Sequence, residues 1–452
     1  MIILVSPMFS SYRNLNADSC YVFIKNVITE IIKKEPKWYF ILLWPREGFK
    51  YYDDGFFNNP QVKRIPIDIP QRKMDSVVHF NILYWRKLFR LFTPDIIWNH
   101  IPEQGHLFKN LYTGFDIEMS GPKIINQHHY IIHPTLPYPI DTYRAVQFQS
   151  MGSYLIDMNL FNSDYCYKMF CDVKQEILAT NIRVPYRIIK FALIPENYPE
   201  PNPETQFIKI AYNHRLQDYK NYLTTFEMLA QLWTTYKNFR VLVTNPNASN
   251  FNKLLAYPFV DGKAFSKHED YLKELSTCHL NITNSQHETF CISALESLAF
   301  GQILVAPRAI TFPELVPKED YPYLFSTEEE QYRILDKIFS NPSVFDTERE
   351  RIKNNTRTAF ANHILGDKIA SLFKEMAVYE WEESSLRENS ALAVKKIQHK
   401  NKGFVELTEI QKQFGEYNLG WQAFPLLKIK RVLNKLGYED VLLGHKQGFY
   451  FG

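Results

Sequence analysis

Two carboxylates, Glu288 and Glu296, stand with seven residues between them in the stretch Ser285 to Gly301. A carboxylate accepts hydrogen bonds from two neighbouring hydroxyls, so a pair at this spacing on one side of a loop and helix suits a ligand that carries two diols. A nucleotide sugar is such a ligand. Between the two acids, Thr289, Phe290 and Cys291 open a helix, and the free backbone amides of a helix start are a natural seat for a diphosphate. A second set of chemically suggestive groups lies upstream, where Arg215 and Lys220 fall in the turn ahead of another helix. A fork donor and a point charge there would both reach a diphosphate.

The elements that must position these groups are legible as patterns. Cys278 to Thr283 reads as a strand, Ile292, Leu295, Leu298 and Ala299 recur at helical spacing with Gly301 as the stop, and Ile303 to Ala306 reads as the next strand. Upstream, Phe207 to Tyr212 is a strand that leads into Asn213 to Asn221 and then a helix through Trp233. Both sets of polar groups therefore follow the C-terminal end of a strand. Open α/β sheets place their ligands at that edge.

Glu-x7-Glu alone is equally the mark of an amphipathic helix with one capping and one solvated acid. The longer string Glu288-Thr-Phe-x-Ile-x-x-Leu-Glu-x-Leu-Ala-x-Gly301, followed by Pro313-Glu-Leu-Val316, resembles the donor-binding signature of retaining GT-B glycosyltransferases, the group 1 family. Arg215-Leu-x-x-x-Lys-Asn221 is similar to that family's other donor motif. The resemblance implies that Arg215 and Lys220 neutralise a leaving diphosphate, that Glu288 holds the sugar hydroxyls and that Glu296 holds the ribose. Cys291 and His214 depart from the pattern, each standing where the family commonly has Gly, the residue used where backbone must come near a ligand.

The first half fits the same family. Ile2 to Val5 reads as a buried strand, Tyr21 to Ile32 as a helix and Trp38 to Leu43 as a strand, with Ser10, Ser11 and Arg13 as polar candidates in the first loop. Pro94 to His100 and Pro122 to Tyr130 each run from Pro through an apolar strand into His, and Leu160 to Ser163 reads as the last strand of this half, followed by a helix from Asp164 to about Phe170. In the family a His after the second of these strands contributes to the active site, and both His128 and His129 fit. His129 and His133 are four apart, but Ile131, Ile132 and Pro134 argue against the helix that would make them a metal pair. No Asp-x-Asp is present, and no obligatory metal or tightly bound cofactor is expected, the nucleoside diphosphate sugar serving as co-substrate.

The expected architecture is α/β with a GT-B fold, two Rossmann-like domains facing across a cleft. Residues 1–195 form the acceptor domain and 204–345 the nucleotide-sugar domain, joined by a Pro-rich linker, with crossover helices over 346–385. Residues 390–452 have another character. From Ser390 onward ten Lys and Arg face five acids, a balance of +5, so within the net charge of +3 the remainder carries −2. Helices over 391–397, from Thr408 and over 421–436, followed by a hairpin from 441–443 to 449–451, resemble a winged helix, a small α+β module. Its third helix aligns Lys428, Arg431 and Lys435 in a basic stripe, with Lys446 in the wing, a pattern suited to phosphate contact in double-stranded DNA.

Other features narrow the class. Met1 to Ser6 lacks a basic leader and cleavage site, no run approaches the ~18 to 20 apolar residues of a membrane span, and five scattered Cys suggest reduced thiols in a cytoplasm. The family resemblance implies sugar transfer, with retention, from a nucleoside diphosphate sugar, a UDP-sugar being favoured, to a hydroxyl. The basic module points to a 5-hydroxymethylpyrimidine in phage DNA as acceptor, inside a bacterial host. The alternatives are a bacterial glycosyltransferase acting on a lipid, glycan or protein, and a non-enzymatic, sugar-nucleotide-sensing DNA-binding protein.

Overall fold

The computed structural model describes residues 1–8, 18–46, 55–67, 85, 94–113, 122–131, 142–178, 184–245, 250–317, 321–378, 403–406, 440–443 and 446–451. The first half alternates strand and helix: β1 (Ile2–Ser6), α1 (Ser19–Lys34), β2 (Tyr39–Pro45), β3 (Val62–Ile67), β4 (Ile96–Asn99), α2 (Gly105–Thr113), β5 (Lys123–His128), α3 (Thr142–Tyr154), β6 (Met158–Phe161), α4 (Asp164–Leu178) and β7 (Tyr186–Ile188). These strands form one parallel sheet in the order β3-β2-β1-β4-β5-β6-β7. Its central strands are buried along nearly their whole length, as a parallel sheet covered on both faces requires.

Two expectations change here. The strand at Leu160 is not the last of this half, because β7 pairs beyond it with Asn159 opposite Tyr186. Only three residues long and largely exposed, β7 has the polar, short character of an edge strand and no apolar run to announce it. The following helix, α4, also extends to Leu178, two turns past its expected end.

The second half repeats the plan with β8 (Ile208–Tyr212), α5 (Tyr222–Tyr236), β9 (Phe239–Val243), β10 (Val260–Gly262), α6 (His268–Leu275), β11 (Leu280–Ile282), α7 (Ile292–Ala299), β12 (Ile303–Pro307), β13 (Leu324–Phe325) and α8 (Glu328–Ser340). Its parallel sheet runs β10-β9-β8-β11-β12-β13. In each sheet the order turns beside the first strand, between β1 and β4 and between β8 and β11. A crevice opens outside the C-terminal ends of strands at such a switch point. The loops that leave β8 and β11 are the two that carry the suggestive residues. These two Rossmann-like α/β domains constitute a GT-B fold.

The helical region after the second sheet is two helices, α9 (Val344–Ala359) and α10 (Asn362–Val378). The break at Phe360 is used structurally: Phe360 O accepts from Leu193 N at 2.7 Å, and Leu193 bridges to Ala361. From there α10 lies against α1 of the first domain. Asn362 Nδ2 donates to Asn26 O at 3.2 Å, and Phe373 packs against Trp38 and Trp98. The chain thus returns to the domain where it began. No described helix is long and apolar enough to cross a membrane.

At the C-terminal end, β14 (Gly403–Glu406), β15 (Asp440–Leu443) and β16 (Lys446–Phe451) form an antiparallel sheet in the order β14-β16-β15. The expected hairpin is present as β15 and β16, and β14 is a third strand that the sequence reading did not anticipate. The three helices expected in this module lie outside the described residues.

Candidate active site

The crevice between β8 and β11 is built by two loops that reach toward each other. After Tyr212 the chain passes through Asn213, His214 and Arg215 into a 3-10 turn at Asp218–Lys220, and Asn221 takes a left-handed conformation (φ 48°) before α5 begins. That turn brings Lys220 inward. Its side chain is 7% exposed and its ammonium donates to Glu288 Oε1. Burial alone would lower the Lys220 pKa, but Glu288, Cys291 and Tyr219 together outweigh it, and the net shift is upward. Arg215 is exposed, and its guanidinium enters no hydrogen bond or ion pair among the described residues. One cation is therefore closed onto the acid motif and the other stands open.

Glu288 lies at the end of the loop from β11, four residues before the start of α7. The amides of Thr289, Phe290 and Cys291 enter no hydrogen bond among the described residues. Cys291 precedes the helix with φ 70° and ψ 72°, in the left-handed region. That backbone is one where Gly is at ease, and this chain adopts it with a side chain in place. The second departure from the family pattern meets the first one. His214 Nδ1 lies 3.1 Å from Ser293 Oγ, and Cys291 Sγ lies 3.5 Å from the same oxygen, so Ser293 joins both replacements. Burial lowers the His214 pKa to about 3, with the Lys220 charge adding to the effect, which keeps its ring neutral.

Glu296 projects from α7 and is 8% exposed. Burial raises its pKa, against the opposing effects of His268, whose Nε2 is 3.6 Å from Oε1, and of Tyr271. The Tyr271 hydroxyl donates to Glu296 Oε2 at 2.8 Å and accepts from Asn213 Nδ2 at 2.9 Å. Asn213 Nδ2 is also 2.9 Å from Ser293 O. Tyr271 thus links the β8 loop to the α7 carboxylate and leaves Oε1 as the oxygen on the His268 side.

The two His alternatives separate. His128 ends β5 with its ring in the interior: Nε2 is 3.0 Å from Asn159 Oδ1, the ring stacks on Phe161 at 4.4 Å, and burial lowers its pKa to about 4. The His128 ring is thus neutral and held inside the first domain. His129, one residue on, meets the second domain through its backbone. Its carbonyl accepts from Thr289 Oγ1 at 2.9 Å and from Asn162 Nδ2 at 3.4 Å. The His129 ring points elsewhere, with Nε2 2.7 Å from His100 Nδ1 and 3.4 Å from Cys20 Sγ.

The Thr289 region is a contact point between the domains as well as the approach to a helix. Ser163 Oγ donates to Thr289 O at 2.6 Å, and Phe290 packs on Phe191 and Phe360. Thr289 therefore spends its hydroxyl on the first domain, and Phe290 contributes its backbone to the crevice while its ring is core. Close by, Glu314 accepts from Asp164 N at 3.0 Å and Tyr165 N at 2.9 Å, so a carboxylate of one domain caps a helix of the other. Lys190 lies 3.5 Å from the same carboxylate.

Of the residues expected to meet DNA, Lys428, Arg431 and Lys435 lie outside the described residues, and Lys446 is the first residue of β16. Ser10, Ser11, Arg13 and His133 also lie outside. Sequence reading missed Tyr271, Asn213, Ser293 and Glu314. Glu314 sits in the quoted Pro-Glu-Leu-Val string, which could have marked it, whereas Tyr271 carries no local signal.

Residues 194–359 match the model of the glycosyl transferases group 1 family. Over 228 residues the chain is 24% identical to the tRNA-queuosine alpha-mannosyltransferase of Drosophila melanogaster. That match covers 44% of this chain and spans 59% of the length of the relative. Among solved structures, the chain is similar to sucrose-phosphate synthase from Thermosynechococcus elongatus, with TM-score 0.64 and 12% identity over 83% of this chain and 99% of that one. It is also similar to a glycosyltransferase from Rickettsia africae, with TM-score 0.58 and 13% identity over 85% and 99%. Likeness at these identities is one of fold, and both neighbours share the arrangement of two parallel-sheet domains.

Proposed function

We propose that this protein is a glycosyltransferase that moves a sugar from a nucleoside diphosphate sugar, a UDP-sugar being favoured, to a hydroxyl, with retention of configuration. One observation carries the reading. Lys220 and Glu288, drawn from two separate motifs, meet at the switch point of the second sheet beside the unbonded amides of Thr289, Phe290 and Cys291. The group 1 glycosyltransferase match over 194–359 supports it. In this reading residues 1–195 receive the acceptor and 204–345 hold the donor.

In the transfer step the bond from the sugar C1 to the diphosphate oxygen breaks and a bond from C1 to the acceptor oxygen forms. Arg215, Lys220 and the three amides stabilise the negative charge that grows on the leaving diphosphate. That role is larger in a closed, water-poor cleft. The leaving phosphate oxygen takes the acceptor proton, so no separate protein base is required. Glu288 holds the sugar hydroxyls once Lys220 has turned to phosphate. Glu296 takes the ribose diol, and His129 contributes through the carbonyl that meets Thr289.

For the acceptor, the basic balance of +5 after Ser390 supports a nucleic acid, and the first reading is a 5-hydroxymethylpyrimidine in double-stranded DNA. Residues 390–452 would then be a winged-helix-like DNA-binding module, with Lys428, Arg431, Lys435 and Lys446 on phosphates. A hydroxyl on a modified tRNA nucleoside is the second reading, favoured by the name of the relative in Drosophila melanogaster. The test is a panel of nucleotide sugars offered with DNA containing 5-hydroxymethylcytosine, 5-hydroxymethyluracil or neither, and with bulk tRNA, followed by nucleoside mass analysis. Added hexose or pentose mass on one acceptor is expected. Donor hydrolysis without mass on any nucleic acid would remove both acceptor readings and keep the transferase.

A further inference from the structure

Three side chains from three elements of the first domain converge at the C-terminal edge of its sheet. Cys20 is the second residue of α1, His100 follows β4 and His129 follows β5. His100 Nδ1 is 2.7 Å from His129 Nε2, Cys20 Sγ is 3.4 Å from His129 Nε2, and Cys20 Sγ is 3.8 Å from His100 Nδ1. One sulfur and two imidazole nitrogens thus lie within 4.8 Å of one another. We propose that Cys20 Sγ, His100 Nδ1 and His129 Nε2 form a zinc-binding site.

The donor set and the spacing both fit. Zinc takes thiolate sulfur at ~2.3 Å and imidazole nitrogen at ~2.0–2.1 Å in tetrahedral geometry, which sets sulfur-to-nitrogen edges of ~3.5 Å and a nitrogen-to-nitrogen edge of ~3.3 Å. The two sulfur edges already match. The nitrogen edge opens by ~0.6 Å from its present hydrogen-bonding length. His129 is the half-buried member, while Cys20 and His100 are 2% and 0% exposed.

Metal binding takes the Nδ1 lone pair and moves the His100 proton to Nε2, in a ring packed against Trp98 at 4.5 Å and Phe23 at 6.1 Å. Cys20 releases one proton and binds as thiolate. The ion fixes the first turn of α1 to the ends of β4 and β5. It thereby holds the segment whose carbonyl, at His129, meets Thr289 of the second domain. The inference stands on these distances and not on the proposed sugar transfer.

The test uses untagged full-length protein from cells grown with zinc, and parallel protein from cells grown with cobalt. About one zinc per chain is expected by elemental analysis. The cobalt form is expected to show a thiolate-to-cobalt charge-transfer band and tetrahedral visible bands. Cys20→Ser should lose the band and bind the metal at least about tenfold more weakly, whereas Cys171→Ser should keep both. His100→Gln, checked for folding by circular dichroism, should shift the visible bands. Zinc far below one equivalent with no cobalt charge-transfer band, which would leave a hydrogen-bonded His pair beside a thiol, overturns the proposal. So does a band that persists in Cys20→Ser.

Discussion

The Lys220 ammonium donates to Glu288, so the cation of one motif and the acid of the other are closed on each other across 68 residues of sequence. Both side chains are largely buried, at 7% and 16% exposure. The pair keeps each charge compensated. In the proposed function a diphosphate takes the ammonium, and the sugar hydroxyls take the carboxylate.

Removing one partner strands the other. Glu288→Gln is expected to cost about 3 kcal/mol of stability, because it leaves a buried ammonium uncompensated. Adding Lys220→Met should restore most of that loss. Neither the single nor the double variant should recover sugar transfer, which is expected to fall by about 10²-fold to 10³-fold. Urea unfolding and a transfer assay on the three proteins separate the two effects; equal activity in the double variant would refute the role of the pair.

Glu296 carries a buried charge whose pKa lies above the ordinary carboxylate value. Between the unfolded and folded values the folded state binds more protons, so stability falls as pH rises through that window and the cost persists at neutral pH. Glu296→Gln is therefore expected to raise Tm at pH 7, with the gain gone below about pH 4, where both states are protonated. Nucleotide binding should weaken by about tenfold to a hundredfold, since an ionised acceptor to the ribose is lost. Tyr271→Phe removes a hydrogen bond that holds the pKa down, so its nucleotide affinity should fall more at pH 6 than at pH 8. Calorimetry with UDP and GDP measures both variants.

Cys291 adopts a left-handed backbone at φ 70° with a side chain attached. Glycine would relieve about 1 kcal/mol of strain and give back a similar amount through the freer unfolded chain, so Cys291→Gly should change stability by less than about 1 kcal/mol. Cys291→Val, β-branched at the same angle, should cost about 2 kcal/mol or more. Denaturation midpoints check this contrast, and a stable Val variant would contradict the backbone assignment.

His128 and His214 are buried and neutral, with pKa values lowered by burial to about 4 and about 3 from 6.5. Their folded values are depressed, so the unfolded chain binds protons first as pH falls below 6.5, and stability is lost down to the folded values. Each is expected to lower stability by about 2 kcal/mol between pH 7 and pH 5. His128→Gln, which keeps a group able to bond Asn159, should flatten the loss by that amount. An unchanged pH slope in denaturant unfolding would count against the buried neutral ring.

Much of the second domain was readable because its signals are local. Strands such as Ile303–Pro307 are apolar runs, α7 shows its period, and Glu288, Glu296 and the Arg215 to Asn221 string sit in contiguous motifs. The register at His128 and His129 was not readable in this way. Successive strand residues face opposite sides, so a shift of one residue decides whether a ring enters the core or leaves it. The short edge strand β7 and the break at Phe360 also lacked a local signal, the first because it buries little and the second because its reason is a hydrogen bond to Leu193, far away in sequence.

By itself the sequence determined the strand and helix plan and the two loops that carry charge. Those follow from periodicity and from residue types that keep their chemistry wherever they are placed. Tertiary structure decided who meets whom: Lys220 with Glu288, Tyr271 with Glu296, Glu314 with the start of α4, and Cys20 with His100 and His129. These partners come from different strands and helices, and only the strand order of each sheet brings their ends to one edge.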